Sequence, residues 1–221
     1  MKRNVLTALL ALMINRKRRA VIAILAVLTV VPLVAQTPKG WKMRVDRSAS
    51  ASDPDAPGTI KFVQAGSGFH ATNPQAAVFF NPANTATGTY TLKGTFTLLK
   101  PSGHTNYYGL VFGGSNLEGA GQNYTYFLVA QDGTWLVKKR EGETTEDVAA
   151  KTMNAAVKKP DASGKSVNAL EVRVGADKID YVVNGTVVQS TPKSGVKTDG
   201  TYGIRVNHLL DVQVDGLAVS K

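Results

Sequence analysis

The stretch Tyr107–Arg140 constrains the fold more than any other. Two β-rich runs, Tyr124–Gln131 and Thr134–Arg140, are separated by Asp132-Gly133 alone. Tyrosine, valine, phenylalanine and tryptophan favour strands because branched and aromatic side chains pack well on a pleated surface. Asp-Gly between two such runs predicts a two-residue type I′ hairpin turn, which needs positive φ at both central residues. A third run, Tyr107-Tyr108-Gly109-Leu110-Val111-Phe112-Gly113, precedes them and ends in glycines. A two-residue turn sets Ala130 opposite Trp135 and Val129 opposite Leu136. Facing residues share a side and neighbours alternate. Phe127, Val129 and Leu136 then form a core side. Tyr124, Tyr126, Leu128, Trp135 and Val137 form the other, continued by Lys139 and Glu141. Aromatic rings with polar handles on that second side predict a half-open surface that stacks on a ligand. The competing expectation is that both sides are covered and the tyrosines are ordinary filling.

The same grammar runs through most of the chain. Trp41–Val45 reads as a first strand, and the Ser/Ala/Asp/Pro-rich Ser48–Gly58 as a loop. Ile60–Gln64 and Phe69–Thr72 flank Gly66-Ser67-Gly68, and Ala76–Phe80 is bounded by Asn73-Pro74 and Asn81-Pro82. In Gly88–Leu99 the residues Tyr90, Leu92, Gly94, Phe96 and Leu98 alternate with Thr and Lys. Ala169–Val174 alternates Leu170, Val172 and Val174 with charged residues. Asn184-Gly185 predicts a second I′ hairpin between Ile179–Val183 and Thr186–Gln189. Tyr202–Val206 and Leu210–Val219 close the chain. Only Thr144-Thr145-Glu146-Asp147 resembles a helix start, with acids in the first turn. Many short strands with steady turn chemistry predict an all-β fold, an antiparallel β-sandwich. No solenoid or propeller repeat is present.

The first 35 residues differ from the rest. They hold Lys2, Arg3, Arg16, Lys17, Arg18 and Arg19 and no acid, and an apolar run Ala20–Ala35 follows. A basic segment, an apolar segment and a terminal small residue predict a signal peptide over 1–35, cleaved near Ala35. The expected location is secreted or periplasmic. A retained anchor is the alternative, although the run is shorter than the ~20 residues of a spanning helix. The division that follows is leader 1–35, N-terminal strand and linker 36–58, and sandwich 59–221.

Removing the leader changes the charge argument. The whole chain carries +10, but six of its 26 Lys and Arg residues lie in the leader. The remaining 20 face 16 acids, a net of +4. The basic residues are scattered, and Lys138-Lys139-Arg140 is the one basic triplet after the leader. Nucleic acid is therefore not an expected partner, and a membrane is expected only through an uncleaved leader. The chain contains no cysteine, so neither disulfides nor a lipidated cysteine enter the argument. About 186 residues suffice for one core without staples.

Several stretches together resemble a known family. They are Tyr-Tyr-Gly-Leu-Val-Phe at 107–112, Tyr-x-Tyr-Phe-x-Val then Asp-Gly-x-Trp-Leu within 124–136, Asn-x-Leu-x-Val at 168–172, Ile-x-x-x-Val-Asn-Gly at 179–185, Gly-x-Tyr-Gly-Ile-Arg-Val at 200–206 and Val-x-Val-Asp-Gly-Leu-x-Val at 212–219. The pattern resembles the concanavalin A-like lectin/glucanase superfamily, a jelly roll. Within it, the chain is similar to secreted bacterial domains of unknown function of the 3-keto-disaccharide hydrolase type. The resemblance covers roughly residues 62–219. It implies a saccharide partner, an oligo- or polysaccharide, and leaves chemistry open because a shared fold hosts many functions.

Glucanases of that superfamily carry Glu-x-Asp-x-x-Glu on one strand. Retention needs two carboxyls about 5–5.5 Å apart, and residues two apart on a strand share a face. That motif is absent. Glu141-Gly142-Glu143-Thr144-Thr145-Glu146 has Glu where Asp belongs and reads as a solvated run; Asp211 and Asp215 read as rim residues. No Gly-x-Ser-x-Gly elbow is present. No catalytic residue is therefore expected. His70, His104 and His208 have no His or Cys neighbour at ligand spacing, so no metal residue is expected. Asp53/Asp55 and Asp177/Asp180 are the acid pairs that calcium would use, and they read equally as turn residues. Asn123-Tyr124-Thr125 and Asn184-Gly185-Thr186 match a glycosylation sequon, and the second is explained by its turn.

The leading expectation is a non-catalytic, lectin-like carbohydrate-binding sandwich without cofactor. Its expected ligand residues are Tyr124, Tyr126 and Trp135, with Tyr107, Asn106, Asn123, Lys139, His104 and Arg205 around them. The alternatives are a glycoside hydrolase of the 3-keto-disaccharide hydrolase or glucanase type, and a structural or adhesion domain with no small ligand.

Overall fold

The computed structural model describes residues 37–48 and 50–221. The expected leader lies outside the described residues. Fourteen strands follow in order: β1 (Lys42–Asp46), β2 (Lys61–Ala65), β3 (Gly68–Asn73), β4 (Ala76–Ala86), β5 (Tyr90–Lys100), β6 (Tyr107–Ser115), β7 (Asn123–Ala130), β8 (Thr134–Glu141), β9 (Thr144–Met153), β10 (Ser166–Val174), β11 (Lys178–Val183), β12 (Thr186–Pro192), β13 (Gly200–Val206) and β14 (Leu210–Ser220). They form two antiparallel seven-stranded sheets. The first has the order β1-β4-β13-β6-β7-β8-β9, the second β12-β11-β10-β5-β14-β3-β2. The fold class is the expected all-β sandwich.

Period-two alternation builds the core. On β5, Tyr90, Leu92, Phe96 and Leu98 are buried while Lys93 is exposed. Leu170, Val172 and Val174 of β10 pair across from Gly94, Leu92 and Tyr90 and are buried on the same side. The first sheet answers with Phe79, Tyr108, Leu110, Phe112, Phe127, Val129, Val137, Ile204 and Val206. Aromatic rings bridge the layers: Phe127 meets Tyr181 at 5.3 Å between centroids, and Phe62 stacks on Phe79 at 4.2 Å. The Asn184-Gly185 turn is as expected, with φ of 49° and 83° and Val183 opposite Thr186.

The β7–β8 register differs from the expected one by one residue. Val129 faces Trp135, Phe127 faces Val137, and Tyr124 faces Arg140. The connection is a three-residue loop, Gln131-Asp132-Gly133. The Gly133 N–H donates to the Ala130 carbonyl at 3.1 Å, and Gly133 has φ of 89°. Asp132 keeps negative φ, because its carboxylate accepts the Thr134 N–H at 3.0 Å and the Thr134 hydroxyl. A turn closed by a left-handed glycine is the usual three-residue alternative to type I′. A one-residue slip moves every β8 side chain to the opposite face. Trp135 therefore sits in the inter-sheet core, 2% exposed, edge-on to Phe127 at 6.3 Å. Leu136 lies on the outside of the sheet instead, among Leu128, Tyr126 and Val111.

Three other stretches differ from the sequence reading. Thr144–Met153 is the edge strand β9, not a helix. Its acids answer the lysines of β8, with Asp147 at 3.1 Å from Lys138 and Glu146 at 3.0 Å from Lys139. Strand β4 continues past Asn81-Pro82, since the proline falls where the pairing with β13 shifts and no ladder bond is required of it. Strand β1, read as a segment ahead of the sandwich, is the edge strand of the first sheet, with Arg44 opposite Val78.

Candidate functional site: the outer face of the first sheet

Five strand steps separate β1 from β8, about 24 Å on a flat sheet. Yet Arg140 Nη1 on β8 lies 3.6 Å from Asp46 Oδ2 on β1. No pair of side chains spans a flat sheet of that width, so the sheet curls around its outer face. That face is concave, and it gathers the even residues of β1, β7 and β8 together with Arg205 of β13.

Asp46 is the centre of this gathering. Arg205 Nη1 bonds its carboxylate directly. Arg44 Nε lies 3.4 Å from its other oxygen. The Tyr124 hydroxyl donates to Asp46 at 3.2 Å and accepts from Arg205 Nη1 at 3.1 Å. The Arg205 guanidinium also lies over the Tyr126 ring, 5.5 Å from its centroid, a cation–π arrangement. Burial alone would raise the Asp46 carboxyl, but Arg205 and Arg140 outweigh it and hold the carboxyl below its ordinary value. Burial pushes the Tyr124 hydroxyl up to about 12.

The charges at this centre do not balance. Three guanidinium groups, each with a side chain under 20% exposed, surround one buried carboxylate. The next acid, Glu143, reaches Arg140 at 3.4 Å and Arg44 at 3.8 Å from a side chain 77% exposed. Arg44 Nε is buried without a hydrogen-bond acceptor of good geometry. Arg44 Nη1 donates to the Gly119 carbonyl at 2.8 Å. Gly119 and Glu118 in turn line a cleft of about 510 Å³ with Phe80, Pro82, Leu117 and Thr201. The cleft combines an apolar floor with a polar rim and has the size of a small-molecule site.

The residues expected from sequence are distributed over four places. Tyr124, Tyr126 and Arg205 meet on the concave face, and Tyr107 packs at its far end beneath Lys151. Tyr124 is fully buried and Tyr126 is 7% exposed, so neither presents an open ring. Trp135 lies in the core and presents nothing to that face. Asn123 pairs with Glu141 at the rim, and Lys139 is tied to Glu146. Asn106 and His104 belong to the β5–β6 loop at one end of the sandwich. There His104 Nε2 lies 3.1 Å from His208 Nε2 in the β13–β14 turn. His104 and His208, which have no neighbouring ligand in sequence, meet in space; His70 pairs separately with Asp211.

Sequence reasoning missed Arg44, Asp46 and Arg140 on the concave face; it named Asp53 and Asp55 as an acid pair but did not place them beside His208. Alternation on Lys42-Met43-Arg44-Val45-Asp46 does place three charges on one side of β1. Nothing in that pattern says what they face.

No family model and no curated protein matches the chain. Solved structures do. Carbohydrate-binding module CBM66 from Bacillus subtilis aligns with a TM-score of 0.61 at 12% identity, over 82% of this chain and 96% of that one. An endo-β-1,3-glucanase from Pyrococcus furiosus aligns at 0.55 and 11% identity, over 84% and 89%. The GH16 of a Bacteroides ovatus mixed-linkage glucan PUL aligns at 0.55 and 7% identity, over 85% and 97%. At such identities the likeness concerns the fold alone.

Proposed function

Taking the chain as a concanavalin A-like jelly-roll sandwich, we propose that it binds carbohydrate without cleaving it, and that its ligand is an acidic saccharide held at the concave face of the first sheet. The supporting observation is the excess of guanidinium over carboxylate around Asp46, next to the cleft floored by Phe80 and Leu117. Arginine forks match carboxylate and sulfate geometry with paired, charge-assisted hydrogen bonds. Apolar floor and polar rim suit the C–H faces and hydroxyls of a sugar ring. The protein acts, in this reading, outside the cytoplasm after loss of the leader.

The test is a binding panel of polyuronates, sulfated polysaccharides and neutral glucans against folded protein. Retention by acidic members that weakens as salt rises supports the proposal, because exposed parts of such contacts are screened. Equal retention of neutral and acidic glycans contradicts the acidic assignment. Failure with every glycan contradicts carbohydrate binding itself.

A further inference from the structure

We propose that Asp53, His104 and His208 form a binding site for one divalent first-row transition-metal ion of the zinc class, with Asp55 as the outer partner of His208. The three ligand atoms lie on three connections that meet at one end of the sandwich. Asp53 comes from the β1–β2 loop, His104 from the β5–β6 loop and His208 from the β13–β14 turn. Asp53 Oδ1 is 2.8 Å from His104 Nε2 and 3.1 Å from His208 Nε2, and the two imidazole nitrogens are 3.1 Å apart. Zinc binds histidine nitrogen and carboxylate oxygen at about 2.0–2.2 Å, which puts neighbouring ligand atoms about 2.8–3.6 Å apart in a tetrahedral or octahedral shell. The observed triangle fits such a shell without rearrangement of the chain.

The hydrogen bonding around the triangle points to a cation. The Ser102 hydroxyl donates to the His104 carbonyl, so its oxygen accepts from Asn106 Nδ2 at 3.2 Å. The Asn106 amide nitrogen also reaches His104 Nε2 at 3.0 Å, and in that arrangement Nε2 accepts. His208 Nδ1 faces Asp55 Oδ1 at 3.2 Å and donates to it, which turns Nε2 toward Asp53 and His104. Two imidazole nitrogens and a carboxylate oxygen thus converge on one point, an arrangement that a cation bound between them would satisfy. A divalent ion would take the His104 lone pair from Asn106, which keeps its bond to Ser102. With Asp53 and Asp55 ionised, such an ion leaves the group neutral.

The site is also pre-built. The Ser48 hydroxyl donates to the Asp53 carbonyl at 2.6 Å, and the Ser48 N–H to Asp55 Oδ2 at 2.9 Å. His208 is 5% exposed, and the following Leu209 N–H donates to the Asn73 carbonyl. A carboxylate behind a ligating histidine is the usual way to fix its tautomer and orientation. Two nitrogens in the set select zinc-like ions over calcium and magnesium, which prefer oxygen throughout. The ion would tie three loops together in a chain that has no cysteine to do so.

The test uses the full chain stripped with a chelator and then titrated calorimetrically with zinc, with calcium and magnesium as comparisons. The expected result is one zinc per chain, a raised Tm on binding as mass action requires, and no response to calcium or magnesium. His104→Ala, at a half-exposed position, should weaken zinc binding at least about 100-fold, and Asp55→Asn about 10–100-fold. His70→Ala should leave it unchanged. Should His104→Ala fold poorly, Asp53→Asn takes its place, and its side chain is 47% exposed. Absence of stoichiometric zinc binding overturns the proposal, as does zinc binding that survives both substitutions. A cluster held together only by a proton on His208 would give that first result.

Discussion

Trp135 and Asp46 carry the most weight at the scale of the residue. Trp135 fills the space between the sheets beside Phe127, and its buried indole N–H has no acceptor. Trp135→Ala should lower unfolding free energy by about 3–5 kcal/mol, as truncation of a buried Trp does. Trp135→Phe should cost less, because it keeps most of the ring and removes the unpaired donor. Denaturant melts of the two variants check the order; equal losses would mean that the indole is not packed as described. Asp46 is the counter-charge for three arginines. Asp46→Ala should destabilise by about 3–5 kcal/mol, since it strands buried charge. The pH dependence has a definite sign. The folded carboxyl lies below its ordinary value, so its contribution is complete above the unfolded pKa near 3.9 and disappears as pH falls through the folded value. The difference in stability between wild type and Asp46→Asn should therefore shrink on acidification below about pH 4. A difference that stays constant down to pH 2 would contradict the ion cluster.

Among the elements, the turns decide what the strands present. Strand alternation was legible from sequence on β5, β10 and β13, because period-two patterning needs no long-range information. The Asn184-Gly185 turn was legible for the same reason, since both residues tolerate positive φ. Gly185→Val should cost about 1–3 kcal/mol by placing a β-branched residue at φ of 83°, although a Cβ there meets nothing within 4 Å. A loss no larger than that of a surface substitution would show that strain at this turn is negligible. Asp132-Gly133 carries the same kind of turn signal and behaves differently. Asp132 spends its carboxylate on Thr134 and stays out of the left-handed region, so the loop gains a residue and β8 turns over. That single change moved Trp135 from the outer face to the core and brought Arg140 to the concave face. Strand β9 was illegible because Thr144–Met153 shows no period-two apolar pattern and buries no residue fully, and its partners sit on β8. As an exposed edge bound through ion pairs, β9 should exchange its amide hydrogens faster than β7, which is buried between neighbours. Protection of β9 equal to that of β7 would contradict its edge position.

At the scale of the whole molecule, curvature makes the site. Arg44, Arg140 and Arg205 lie on β1, β8 and β13, and only a sheet curled about its outer face brings them to one carboxylate. Sequence alone located Arg205 and the two tyrosines, which share a strand parity, and missed the other arginines, whose convergence depends on how seven strands bend. His104 and His208 are likewise 104 residues apart in sequence and meet only because their loops leave the same end of the sandwich. The cleft lined by Phe80 and Leu117 adjoins the Gly119 carbonyl that Arg44 holds, and the proposed acidic saccharide would lie across the two. Calorimetric titration of a polyuronate oligosaccharide into wild type and Arg44→Ala, at low and high salt, tests this. Wild type should bind saturably and more weakly as salt rises, and Arg44→Ala should lose about 10–100-fold, the worth of a charge-assisted contact of ~1.5–3 kcal/mol. Binding of equal strength in both proteins, or indifference to salt, would contradict the proposed binding.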